Sequence, residues 1–174
     1  MRLLSFTPDR RYSQITPQLF VGGQYYGSGW PALAAWGITA VVNMRTEFDD
    51  HQAGIAPARY LHLPTTDNTA PTLEHLAAGV AFITQEIARG GGVYIHCKSG
   101  IGRAVTMAAA YLVSTGLTPV EAWARIRDVR PFIRPTAAQV TQLERFAANP
   151  PSPDVLRFAQ DVGRGAGGDV NPRI

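Results

Sequence analysis

Val93-Tyr-Ile-His-Cys-Lys-Ser-Gly-Ile-Gly-Arg103 carries most of the structural information in this chain. Val93, Tyr94 and Ile95 are β-branched or aromatic, the signature of a short buried strand that ends at His96. Five residues holding two glycines then separate Cys97 from Arg103, so the chain turns tightly before Arg103 opens a helix. Gly100 and Gly102 accept backbone angles that other residues resist, which lets successive N–H groups turn inward. Inward N–H groups and a helix N-terminus together make a cradle for a tetrahedral anion.

Working outward, Gln18–Gly22 reads as a short strand closed by a Gly-Gly turn, and Pro31 opens a short helix that Gly37 stops. Thr39–Met44 reads as a buried strand, and Arg45 to Pro57 as a polar loop. Arg59–Leu63 alternates and is expected to end at Pro64. Leu73, Leu76, Val80, Ile83 and Ile87 recur in steps of three and four, predicting one apolar helix face started at Thr69 or Pro71-Thr72 and ended by Gly90. Helices are expected over 103–115, 119–130 and 136–147. Strands alternating with helices predict an α/β layered domain over residues 1–148. Residues 149–174 are expected to be a Pro/Gly-rich tail with room for a short helix near 153–162.

Composition narrows the functions. The chain has 174 residues and suits one domain. Its apolar runs are too short for a transmembrane helix or a secretory leader, so a cytoplasmic protein is expected, and a monomer is the default. The net charge of +3 is scattered, apart from Arg10-Arg11 and the Arg125/Arg127/Arg130/Arg134 stretch, which argues against nucleic-acid binding. Peripheral contact with an anionic lipid surface stays open. The single cysteine rules out an intrachain disulfide and a multi-thiolate zinc site.

A lone cysteine is usually a small buried hydrophobe. Here its neighbours argue otherwise. The dipoles that would hold an anion over Cys97 also favour thiolate over thiol, and thiolate is the nucleophile. Arg103 can clamp two oxygens of a phosphoryl group through its planar fork, as a lysine could not. The anion-binding segment comprises Lys98, Ser99, Gly100, Ile101, Gly102 and Arg103, with His96 in support. A proton donor for the leaving oxygen must come from another loop. Asp67, in Pro64-Thr-Thr-Asp-Asn-Thr-Ala-Pro71, is the candidate; Asp49 and Asp50 are the alternatives. Asp67 could instead merely cap a turn, Ser99 could face outward, and Lys98 could meet a second anionic group of a substrate. No metal or other cofactor is called for. A sulfurtransferase also places a cysteine at a strand end, but has no use for Asp67 or an arginine six positions on.

His96-Cys97-Lys98-Ser99-Gly100-Ile101-Gly102-Arg103 resembles the HCxxGxxR signature of protein tyrosine and dual-specificity phosphatases. The similarity runs from about Ile15 to Phe146. Thr69–Leu73, Val93–Lys98, Ala108–Leu112, Ile133–Thr136 and Gln139 are similar to the lipid-directed phosphatidylglycerophosphate phosphatases of the mitochondrial dual-specificity type. The resemblance implies a central, mostly parallel sheet flanked by helices. It also implies nucleophile, clamp and acid roles for Cys97, Arg103 and Asp67. The site would be shallow and open to phosphorylated protein, lipid or small-molecule substrates. Two departures stand out. Ala104 replaces the family's Ser or Thr, whose hydroxyl assists departure of the sulfur, so slow turnover of a phosphocysteine or a phosphate-binding module without turnover is a competing expectation. Ile101 replaces a basic residue frequent in inositol-lipid phosphatases.

Overall fold

The computed structural model describes residues 11–152. Within them the elements run β1 (Tyr12–Thr16), β2 (Leu19–Gly22), α1 (Trp30–Ala35), β3 (Ile38–Arg45), β4 (Arg59–Thr65), α2 (Leu73–Ala88), β5 (Gly92–His96), α3 (Arg103–Ser114), α4 (Pro119–Val129) and α5 (Ala137–Ala148). The expected helix near 153–162 lies outside the described residues.

The sheet has the order β1-β2-β5-β3-β4. Only the β1–β2 pair is antiparallel. β5 is therefore central, every residue of it is buried, and its register sets Gly22, Asn43 and His96 side by side. The carboxyl ends of β2, β5, β3 and β4 consequently deliver four loops to one face, the place where ligands bind in open α/β sheets. Val93 and Ile95 turn to the larger core with residues of α2, α3, α4 and α5, while Tyr94 turns to a second cluster with Tyr25, Leu33 and Val41. Each such aliphatic side chain contributes roughly 1.5–3 kcal/mol by leaving water.

α3 lies against α2, α4 and α5. Its approach to α2 is close enough that a Cβ on Gly79 would stand 2.3 Å from Met107 Sδ. Thr72 Oγ1 accepts the His75 N–H and caps α2, whereas Thr69 instead closes a turn onto the Thr66 carbonyl. Leu73, expected on the apolar face, is 40% exposed because it occupies the first helical position, beyond the edge of the core.

Two sheet features differ from expectation. β4 runs through Pro64 to Thr65, which is permissible because β4 is an edge strand and the missing N–H is not needed by a neighbour. β1 was not expected at all. Its inward position Ser13 is polar and bonds to Arg130, which hides the alternation that Ile15 alone does not reveal.

Candidate active site

The segment after β5 is held open from outside. The carbonyls of Lys98, Ser99, Gly100 and Ile101 accept, in turn, from Gln24 N, Arg130 Nη2, Arg130 Nε and Arg134 N, at 3.2, 3.0, 2.7 and 2.8 Å. In a planar trans peptide the N–H points opposite to the C=O, so pinning these carbonyls outward turns the following amides inward. One of those amides reaches the sulfur directly: Gly100 N donates to Cys97 Sγ at 3.2 Å. Gly100 has φ +67, and a Cβ there would stand 2.5 Å from the Gly22 carbonyl and 2.8 Å from Arg130 Nη2. Only glycine fits. Cys97 itself is 3% exposed, at the floor of this ring.

Arg103 starts α3 and is 1% exposed. Its Nη1 donates to Glu47 Oε2 and to the Thr65 carbonyl, both at 2.8 Å, and its Nη2 donates to Glu47 Oε1 at 2.9 Å. Nη2 also lies 3.3 Å from Asp67 Oδ1. A guanidinium has five N–H groups. Glu47 and Thr65 occupy three of them, which leaves Nε–H and one Nη2–H together on one edge. Nε is buried and has no hydrogen-bond partner. A buried donor without a partner is costly, and an anion in the cradle would satisfy it. Burial opposes the charge on Arg103, but Glu47, the Cys97 sulfur and Asp67 outweigh it and raise its pKa. Reciprocally, the Arg103 hydrogen bond, helped by Arg45, holds the Glu47 carboxyl down from 4.5 to about 2.

Asp67 follows β4 on a loop that faces the cradle, with its side chain 61% exposed. Its Oδ1 accepts from Asn68 N at 3.1 Å, and Asn68 takes φ 62. From the other side, Gln139 and Gln142 of α5 donate to the Thr69 and Pro71 carbonyls at 2.9 and 2.8 Å and tie the loop down. The alternatives are placed elsewhere. Asp50 is fully buried with its Oδ2 2.6 Å from His96 Nε2, which removes it from any leaving group. Asp49 accepts from Tyr60 Oη and His51 N, both at 2.9 Å. Burial opposes its charge, yet these hydrogen bonds hold its pKa below the usual value, the wrong direction for an acid.

His96 stacks on Tyr94 and meets Tyr25 edge-on, so it is wedged and bonded rather than exposed to a ligand. Lys98 and Ser99 are exposed and line a depression shared with Arg11, Tyr12 and Tyr26. Ala104 is fully buried, and Thr106 Oγ1 donates to the Gly102 carbonyl at 2.8 Å, away from the sulfur. Two participants escaped the sequence reading. Glu47 sat unremarked in a polar loop, and Arg130 looked like one more member of a basic stretch. No local pattern marks either, since their partners are 56 and 30 residues away.

A family profile, "Dual specificity phosphatase, catalytic domain", matches residues 19–149. Human dual specificity protein phosphatase 1 is 32% identical over 135 residues, which make up 76% of this chain but 36% of that protein. The chain thus spans well under half the length of this curated relative. A crystal structure of PTPMT1 in complex with PI(5)P superposes with a TM-score of 0.73 at 27% identity, covering 85% of this chain and 98% of the other. The human tyrosine phosphatase-like serine/threonine/tyrosine-interacting protein gives 0.70 at 29% identity, covering 80% and 97%. The profile match over residues 19–149, with 32% identity to a curated relative across 76% of the chain, shows that this protein belongs to the dual-specificity phosphatase family.

Proposed function

We propose that the protein hydrolyses phosphomonoesters through a phosphocysteine intermediate, without a metal ion. In the first step Cys97 thiolate attacks phosphorus and the P–O bond to the leaving group breaks. Asp67 gives its proton to that oxygen. In the second step water attacks the phosphocysteine, Asp67 carboxylate takes a proton from the water, and the S–P bond breaks to return thiolate and inorganic phosphate. The inward amides and the Nε edge of Arg103 hold the non-bridging oxygens throughout.

The observation that carries this reading is the Gly100 N–H on Cys97 Sγ beside a buried, unpartnered Arg103 Nε. Lipid, protein and small-molecule phosphates are all admitted as substrates. The PTPMT1 likeness favours a lipid and the curated relatives a phosphoprotein, while Ile101 in place of a basic residue argues against highly phosphorylated inositides. The test is turnover of p-nitrophenyl phosphate with and without vanadate, beside Cys97→Ser. Vanadate-sensitive turnover by the wild type alone supports the proposal; equal rates in both proteins would sink it.

Ala104 favours a second reading, a phosphate-binding module with little turnover. Here the phosphocysteine would form and persist, and mass spectrometry of the intact protein after mixing with substrate separates the two.

A further inference from the structure

We infer that Asp50 and Gln24 are positioning residues, which fix Arg103 through a polarised hydrogen-bond relay beginning at His96. The inference rests on the phosphatase reading only for its activity readout. His96 Nε2 meets Asp50 Oδ2 at 2.6 Å. Gln24 Nε2 donates to Asp50 Oδ1 at 2.8 Å, and Gln24 Oε1 accepts from Arg45 Nη1 at 2.9 Å. Arg45 Nε then donates to Glu47 Oε1 at 2.9 Å, the same oxygen that takes Arg103 Nη2. His96 directly precedes the nucleophile and Arg103 ends the cradle, so the relay and the segment 97–102 close a ring. His96, Asp50, Arg45 and Arg103 are all buried.

Gln24 is an amide set between the Asp50 carboxylate and the Arg45 guanidinium. Its amide orientation is therefore dictated by charge. Nε2 must face Asp50, where it also reaches the Tyr25 carbonyl at 2.8 Å, and Oε1 must face Arg45. A flipped amide would set oxygen against carboxylate and NH2 against guanidinium. Polarity, not shape, is what the relay requires at this point.

That distinction gives a sharp test. Asp50→Asn keeps the shape but forces a choice: accepting from His96 Nε2 turns its own NH2 toward Gln24 Nε2, donor against donor, while accepting from Gln24 requires His96 to move its proton to Nδ1. Gln24→Glu alone sets two carboxylates face to face. Combining the two reverses the polarity of the link: Asn donates to Glu, Glu accepts from Arg45, and the net charge is unchanged. At the Tyr25 carbonyl an oxygen replaces the donor in Gln24→Glu and in the double variant alike, so the recovery is read against Gln24→Glu.

We expect kcat for p-nitrophenyl phosphate to fall roughly tenfold in Asp50→Asn and further in Gln24→Glu, with the double variant severalfold above Gln24→Glu. Tungstate affinity measured by calorimetry should follow the same order, since it reads the clamp without turnover. A side chain that merely fills space would give no such recovery. A double variant no better than Gln24→Glu overturns the relay. Absence of turnover in the wild type overturns the phosphatase reading instead, and the tungstate order then decides the relay by itself.

Discussion

Glu47 and Arg103 meet end to end, Oε2 on Nη1 at 2.8 Å and Oε1 on Nη2 at 2.9 Å, and the contact leaves the buried Nε without a protein hydrogen-bond partner. The contact fixes which donors stay available. Two parallel charge-assisted bonds also resist rotation about the last side-chain torsions better than one would.

Glu47→Gln should therefore lower kcat by roughly tenfold, because one face of the fork loses an acceptor and Arg103 gains freedom. The pH dependence has a definite sign. The folded-state value of about 2 lies below the ordinary 4.5, so the stabilisation is fully present above the ordinary value and is lost as pH falls toward 2. Urea midpoints of wild type and variant should differ by a constant amount from about pH 8 to about pH 5, and converge in stronger acid. A gap that widens in acid would contradict the assignment.

Arg103→Lys should be nearly as damaging as removal of the side chain. An ammonium cannot bond both Glu47 oxygens and the Thr65 carbonyl while still offering a second edge to a phosphoryl group. The expected loss in kcat/KM is on the order of 10³, about 4 kcal/mol of transition-state stabilisation. Steady-state rates with an aryl phosphate check it, and a loss under tenfold would mean that charge alone suffices.

The contrast between Cys97 and Glu47 explains what the sequence could reveal. The cradle is local: strand, two glycines and Arg103 lie within eleven residues, and each has a conformational or chemical reason to be there. The central strand and the last three helices are equally local, and their boundaries were legible to within a residue or so. Arg130 and Glu47 act at long range, across loops whose paths no periodicity records. Ser13 on β1 and Pro64 on β4 misled for a related reason, since each breaks a strand rule that only the tertiary neighbours excuse. Asp49 and Asp50 looked equivalent in sequence. The fold buries one against His96 and binds the other to Tyr60.

Asp67→Asn tests the acid. If the side chain protonates the leaving oxygen, its loss should matter most where the departing alkoxide is least stable. Single-turnover rates on alkyl phosphates should drop by about 10²–10⁴, with a smaller loss on p-nitrophenyl phosphate. Across a series of aryl phosphates, the variant should show a steep dependence on leaving-group acidity and the wild type a shallow one. Parallel slopes would assign Asp67 to the turn it closes with Asn68 and nothing more.

Ala104→Ser addresses the other half of the cycle. In the wild type the Cys97 sulfur has a hydrogen bond from Gly100 N, while the nearby Thr106 hydroxyl is committed to the Gly102 carbonyl. The departing sulfur thus lacks a hydroxyl donor beside that amide, so hydrolysis of the phosphocysteine should be the slow step. Rapid mixing with p-nitrophenyl phosphate should then give a burst of nitrophenol approaching one per enzyme. Serine at 104 adds a donor on the first turn of α3 and should raise kcat severalfold. It should leave kcat/KM unchanged, because that ratio reports only the steps through formation of the intermediate. A rise in both parameters would place the hydroxyl's effect on the attack itself, and a wild type with no burst would put the slow step before the phosphocysteine.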